Sequence, residues 1–192
     1  MFYNIAKFVL TIYYGLFFRL KTEGMENVPD EGQAILCCNH ISNYDPITVA
    51  LRLKRLPRYI SKKELFENKL LAKVLSTLKA FPVDREKMDF TAIKNCLKVL
   101  KEGEILGIFA QGKRVKEGEE AAAKAGVALF AVKSGAPVIP VAIKSTYKPF
   151  SEIRVIYGKP ISFEEYKGKK VSGEELTKIA DGIMEKINDM LR

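Results

Sequence analysis

Apolar positions in this chain fall into two patterns that alternate along its length: short, largely apolar runs, and longer stretches with a repeat near 3.6. The runs are Ala34–Cys38, Pro57–Ser61, Ala80–Val83, Glu104–Phe109, Ala136–Ile143 and Ile153–Tyr157. Each has the length of a strand; Ala34–Cys38 is continuous and, with Glu104–Phe109, is expected to be buried. Between them lie segments of helical period. Pro46–Leu53 is a short one. Lys62–Lys79 carries Leu65, Phe66, Leu70, Leu71, Val74, Leu75 and Leu78 on one side, and Asp89 is placed to cap a helix with an apolar face of Phe90, Ile93, Leu97 and Leu100. Glu119–Lys133 is alanine-rich, and a capping box of Ser172 and Glu175 opens a last helix faced by Ile179, Ile183, Ile187 and Leu191. Strands alternating with helices at this spacing predict βαβ units. The expected fold is α/β, a single largely parallel (mixed) sheet of about six or seven strands covered by helices. Pro137 and Pro140 predict a bulge or an edge within their run.

The first twenty residues follow a different rule. Met1–Leu20 is the most apolar stretch and holds seven of the chain's nineteen Phe and Tyr residues, while Asn4, Lys7, Thr11 and Arg19 gather within an arc of about 120°. An amphipathic helix is predicted. Eleven uncharged residues separate Lys7 from Arg19, short of the ~20 that a bilayer span needs, and aromatic side chains favour the interface. Residues 1–24 are therefore expected to lie on a membrane surface, and residues 25–192 to form the α/β domain after the Pro29- and Gly32-containing link. Packing of the helix on the domain, or a snorkelling span, are the alternatives.

Composition narrows the class of partner. With 32 Lys and Arg against 23 Asp and Glu, the net charge is +9, which favours phosphates, anionic lipid head groups or nucleic acid. No helix-turn-helix, zinc or RNA-binding sheet motif supports the last of these, so nucleic acid is not expected as a partner. Cys37, Cys38 and Cys96 are an odd set without metal-ligand spacing, pointing to reduced thiols in a cytosolic setting. A monomer is expected.

Candidate chemistry centres on His40, the chain's single histidine. It follows the first buried run and precedes Asp45-Pro46, so it sits just past the carboxyl end of a strand, where open α/β sheets bind ligands. A carboxylate across a tight turn can hold an imidazole Nδ1–H and aim Nε2 at a substrate as a base. The plainer reading makes Asp45 a helix cap and His40 a loop residue. Arg85, Lys113 and Arg114 also follow strands, and beside Gly112, which lets backbone N–H groups approach, they suit phosphate oxygens; ion pairing with Asp84 or Glu86 and a solvated turn are the alternatives. The Arg52, Lys54, Arg55 and Arg58 cluster and the lysines of Lys62–Lys79 read equally as a solvated surface or as contacts to lipid phosphate.

Four ordered blocks carry a family resemblance: Asn-His-x4-Asp-Pro at 39–46, Phe-Pro-Val-Asp-Arg at 81–85, Phe-Ala-Gln-Gly-Lys-Arg at 109–114 and Val-Ile-Pro-Val-Ala-Ile at 138–143. Together they resemble the glycerolipid acyltransferases, most of all bacterial 1-acyl-sn-glycerol-3-phosphate acyltransferases. The resemblance implies that His40 is the general base and Asp45 its orienting partner. It also implies that Arg85 and Arg114 grip phosphate with Gln111, Gly112 and Lys113, and that Pro140 is part of the site wall. Where the family reads Phe-Pro-Glu-Gly-Thr-Arg, this chain has Ala110, Gln111 and Lys113, and a glutamine cannot ionise. The implied reaction is direct acyl transfer from a thioester, an acyl carrier protein or coenzyme A conjugate, to the free hydroxyl of a lysolipid, giving phosphatidic acid. No metal and no other cofactor is expected, and no Gly-x-Ser-x-Gly elbow is present. The implied location is the cytoplasmic face of the cell membrane, with anionic lipid as partner. Glycerol 3-phosphate as acceptor, and a non-catalytic binder of anionic membranes, stay open.

Overall fold

A computed structural model describes residues 2–77, 79–83, 89–115 and 123–192. Its strands are β1 (Arg19–Glu23), β2 (Ala34–Cys38), β3 (Arg58–Lys62), β4 (Phe81–Val83), β5 (Ile105–Phe109), β6 (Val138–Ser145) and β7 (Glu152–Tyr157). They form a single sheet in the order β1-β7-β6-β2-β5-β3-β4. Pairing is parallel everywhere except between β6 and β7, the mixed sheet expected. The helices are α1 (Phe2–Phe17), α2 (Asp45–Ala50), α3 (Lys69–Thr77), α4 (Phe90–Lys101), α5 (Gly126–Ser134) and α6 (Gly173–Leu191).

β2 is the centre of the molecule. All five of its residues are fully buried, and alternation sends Ile35 and Cys37 to one face and Ala34, Leu36 and Cys38 to the other. The first face packs on α4, α5 and α6 through Cys96, Val99, Val127, Ala131, Ile183 and Ile187. On the second, Tyr14 and Phe18 join Val49, Ile139, Ile153 and Val155. The adjacent cysteines therefore point apart, and all three thiols are free.

Several expected boundaries move. The amphipathic segment does not stay helical to residue 24: α1 ends at Phe17, and Arg19–Glu23 is an edge strand, held to β7 by Lys21–Glu152 and Arg154–Glu23 ion pairs. Its alternation was masked by charge, which is how edge strands avoid further pairing. Lys62–Lys79 is not one helix, because Lys62 ends β3 and a 3-10 turn, Lys63–Phe66, precedes α3. Asp89 caps α4 by accepting from Ala92 N at 2.9 Å, yet Phe90 is exposed, and Ala92, Cys96, Val99 and Leu100 face the core. α5 begins at Gly126, and residues 119–122 and Leu78 lie outside the described residues. Pro140 sits in an interior strand. Ile35 N donates to Pro137 O, so by alternation Val138 and Pro140 turn toward β7, where pairing has ended; Pro140 O accepts from Gly158 N, and no donor is asked of its nitrogen.

Candidate active site

β2 and β5 end level, with Cys38 in register with Phe109, while β6, paired with Cys38 at Val141, runs on to Ser145. The backbone leaving β2 is then pinned on both sides. Toward β6, the Asn39 amide accepts from Ile143 N at 2.7 Å and donates to Ile143 O at 2.9 Å, replacing a rung of the ladder with a side chain. Toward β5, His40 N donates to Gln111 Oε1 at 3.1 Å and His40 O accepts from Val115 N at 2.8 Å. Buried polar groups are costly unless bonded. Asn39 and Gln111, both buried, are satisfied in fixing the position of His40.

His40 Nδ1 lies 2.7 Å from Asp45 Oδ2, and the same oxygen accepts from Ile41 N and Ser42 N at 2.7 Å each. Asp45 is thus no N-cap. It is the first residue of α2, its side chain turned back to close the loop, with Pro46 following at the start of the helix. A carboxylate only accepts, so Nδ1 carries the proton of the neutral ring and Nε2 is left as acceptor. Phe109 stacks on the imidazole with centroids 4.0 Å apart, and Tyr59 stacks on Phe109 at 5.8 Å. The His40 side chain keeps 11% exposure, whereas Asp45 has none.

The basic residues separate into two groups. Gly112 takes a left-handed φ of 66°, and a Cβ there would meet the Lys124 side chain at 2.8 Å. That turn presents Lys113 and Arg114 to solvent, one residue before the Val115 bond to His40. Arg85 lies outside the described residues. Of the Arg52, Lys54, Arg55 and Arg58 cluster, Lys54 pairs with Asp30, Arg55 donates to Pro29 O, and Arg58 pairs with Glu102 and Glu104 at the amino-terminal edge of the sheet, opposite His40. Pro140 is in register with Cys37, three residues before His40, within the sheet.

A groove of about 530 Å³ opens beside Phe109. Ile60, Val83, Ile93, Ile108, Val127 and Phe130 contribute to its apolar lining, with Gly112 and Lys124 at the loop. Sequence reasoning missed Tyr147, Thr48 and Tyr14, a chain of hydroxyls that ends on the second oxygen of Asp45. Tyr147 Oη donates to Asp45 Oδ1 at 2.8 Å from 102 residues away, and no local pattern announces so distant a pairing.

α1 places its apolar stripe outward. Ile5, Phe8, Val9, Ile12 and Leu16 are all exposed, Phe8 and Leu16 at 66% each, while Tyr14 is 2% exposed beneath them. Lys7, expected on the water side, instead donates to Leu53 O at 2.8 Å. Among the described residues no helix is long and apolar enough to cross a membrane.

The chain is similar to known proteins. The family model described as Acyltransferase matches residues 19–144. The 1-acyl-sn-glycerol-3-phosphate acyltransferase of Bacillus subtilis is 32% identical over 97% of this chain and 94% of its own length. A chloroplastic 1-acyl-sn-glycerol-3-phosphate acyltransferase of Arabidopsis thaliana is 29% identical over 93% of this chain, which spans 53% of that relative. The crystal structure of the 1-acyl-sn-glycerophosphate (LPA) acyltransferase from Thermotoga maritima superposes with a TM-score of 0.75 at 25% identity, covering 97% of this chain and 78% of that one. The chain belongs to the acyltransferase family.

Proposed function

We propose that this O-acyltransferase moves an acyl chain from a thioester to the free hydroxyl of 1-acyl-glycerol 3-phosphate, with His40 as general base. The observation that carries the reading is the Nδ1–Asp45 contact at 2.7 Å, which leaves Nε2 to take a proton. The acceptor oxygen bonds to the thioester carbonyl carbon as its proton passes to Nε2; the C–S bond then breaks, and the departing sulfur takes that proton. No covalent enzyme intermediate is required. General-base catalysis supplies roughly 10²- to 10⁴-fold, and positioning the two substrates supplies more.

The groove beside Phe109 offers apolar space for the acyl chain, and exposed Lys113 and Arg114 suit the acceptor phosphate, with Arg85 as a further candidate. The outward stripe of α1 supports attachment to one face of an anionic membrane, where the lysolipid resides. The donor is a carrier-protein or coenzyme A thioester, and neither cofactor nor metal is invoked. The test is acyl transfer with lysophosphatidic acid, glycerol 3-phosphate and an uncharged lysolipid as rival acceptors, each with the parent and with His40→Ala. Lysophosphatidic acid should be preferred, and His40→Ala should turn over at least about 10²-fold more slowly. A variant as fast as the parent excludes His40 as the base.

A further inference from the structure

Asp45 Oδ1 is the end of a longer chain of hydroxyls. Tyr147 Oη lies 2.8 Å from Asp45 Oδ1 and 3.1 Å from Thr48 Oγ1, and Thr48 Oγ1 lies 2.9 Å from Tyr14 Oη. Each hydroxyl has a single proton to donate, while the carboxylate can only accept. Tyr147 therefore gives its proton to Asp45 and accepts from Thr48; Thr48, its own proton spent, accepts from Tyr14. The direction of every bond is fixed from the carboxylate outward. Burial, with the Asp45 charge second, pushes the Tyr147 hydroxyl far above its ordinary range, and burial pushes Tyr14 up to about 12. Both stay protonated donors. Thr48 is fully buried, so no water competes for its place.

We propose that this relay positions Asp45 for His40, so that α1 supplies a positioning residue, Tyr14, to the base as well as a contact with the lipid surface. The proposal rests on His40 acting as the base. Three donors hold Oδ2 and Tyr147 donates to Oδ1, so both oxygens in the plane of the carboxylate are anchored. Tyr14 in turn joins that plane to a helix whose opposite face is bare and apolar.

His40 is the chain's single histidine, so ¹⁵N labelling of histidine in the full-length protein gives one pair of ring signals that reports its tautomer without any substrate. The parent should show the Nδ1–H form alone when neutral, and Tyr147→Phe a mixture of tautomers. With 1-hexanoyl-glycerol 3-phosphate below its micellar concentration and an acyl coenzyme A, Tyr147→Phe should lower kcat roughly 10-fold at unchanged KM, the worth of one bond to a charged acceptor. Thr48→Val should lower it less, and Thr48→Ser should restore it. Tyr14→Phe should lower kcat a few-fold on this monomeric acceptor, with vesicle binding unchanged. A single-tautomer signal and parental kcat in Tyr147→Phe overturn the relay, and a Tyr14→Phe variant altered only in vesicle binding overturns the role of α1. If instead His40→Ala stays active, the base assignment fails, while the ring signals still judge the relay on their own.

Discussion

Gln111 Oε1 accepts the backbone N–H of His40 at 3.1 Å across the ends of β5 and β2. The glutamine that departs from the family pattern is thus an acceptor holding the base in place, and an acceptor oxygen is all that this bond requires. Gln111→Glu should therefore be tolerated, with turnover within a few-fold of the parent. Gln111→Met keeps the shape but strands a buried N–H, which costs about 1 to 3 kcal/mol. Urea unfolding should show that loss, and kcat should fall with it. A methionine variant equal to the parent in both would show that the bond does not matter.

What the sequence revealed and what it hid divide along physical lines. Burial on both faces makes Ala34–Cys38 a continuous apolar run, so β2 and the position of His40 at its end were readable. The tight turn from His40 to Asp45 is local, and it was readable too. β1 was not, since its identity depends on pairing with β7 more than a hundred residues away. Asp45 fits a cap by residue type; only the folded loop turns its carboxylate back onto Ile41 and Ser42. The roll of α1 was hidden for a similar reason. Periodicity finds an apolar stripe but not its direction, and here Lys7 and Tyr14 face the domain through bonds to Leu53 and Thr48.

That roll changes what tests the membrane contact. Deleting residues 1–21 would remove Tyr14 and Phe18 from the core and the first three residues of β1, Arg19, Leu20 and Lys21, so the expected result is loss of the fold. Phe8→Ser with Leu16→Ser alters exposed positions alone. Circular dichroism should be unchanged, while cosedimentation with anionic vesicles should weaken by roughly 10²-fold or more, since burying each side chain in lipid is worth about 2 kcal/mol. Undiminished sedimentation would show that another surface holds the membrane.

Stability should fall in alkali. Burial pushes the Cys37 and Cys96 thiols and the Tyr14 hydroxyl up to about 12, and Cys38, Tyr147 and Tyr157 also upward. In the unfolded chain these groups ionise near pH 8.5 to 10. Above that range the unfolded chain has released protons that the native protein keeps, so ν_U − ν_N is negative and stability declines as pH rises. The contribution is whole below about pH 8.5 and is lost toward pH 12, each group adding up to about 1.4 kcal/mol per pH unit between. Urea midpoints at pH 8 and pH 10.5 should differ accordingly. Equal midpoints would mean that these groups ionise alike in both states.

The acceptor phosphate gives the last prediction. Arg114 is exposed on the turn that Gly112 shapes, one residue before Val115 bonds to His40 O at 2.8 Å. Among the described residues it has no ion-pair partner. β4, which leads into Arg85, lies two strands from β5 in the sheet order, or about 10 Å at ordinary strand spacing. The family resemblance implies that both arginines grip one phosphate. Arg114→Ala and Arg85→Ala should each raise KM for lysophosphatidic acid, with little change for the thioester. Losing a charge-assisted bond costs about 1.5 to 3 kcal/mol, or roughly 10- to 150-fold. Because one phosphate would answer to both, the double variant should lose less than the product of the single effects. If both single variants keep the parental KM, the phosphate binds elsewhere, and the lysines between Lys62 and Lys79 become the groups to replace.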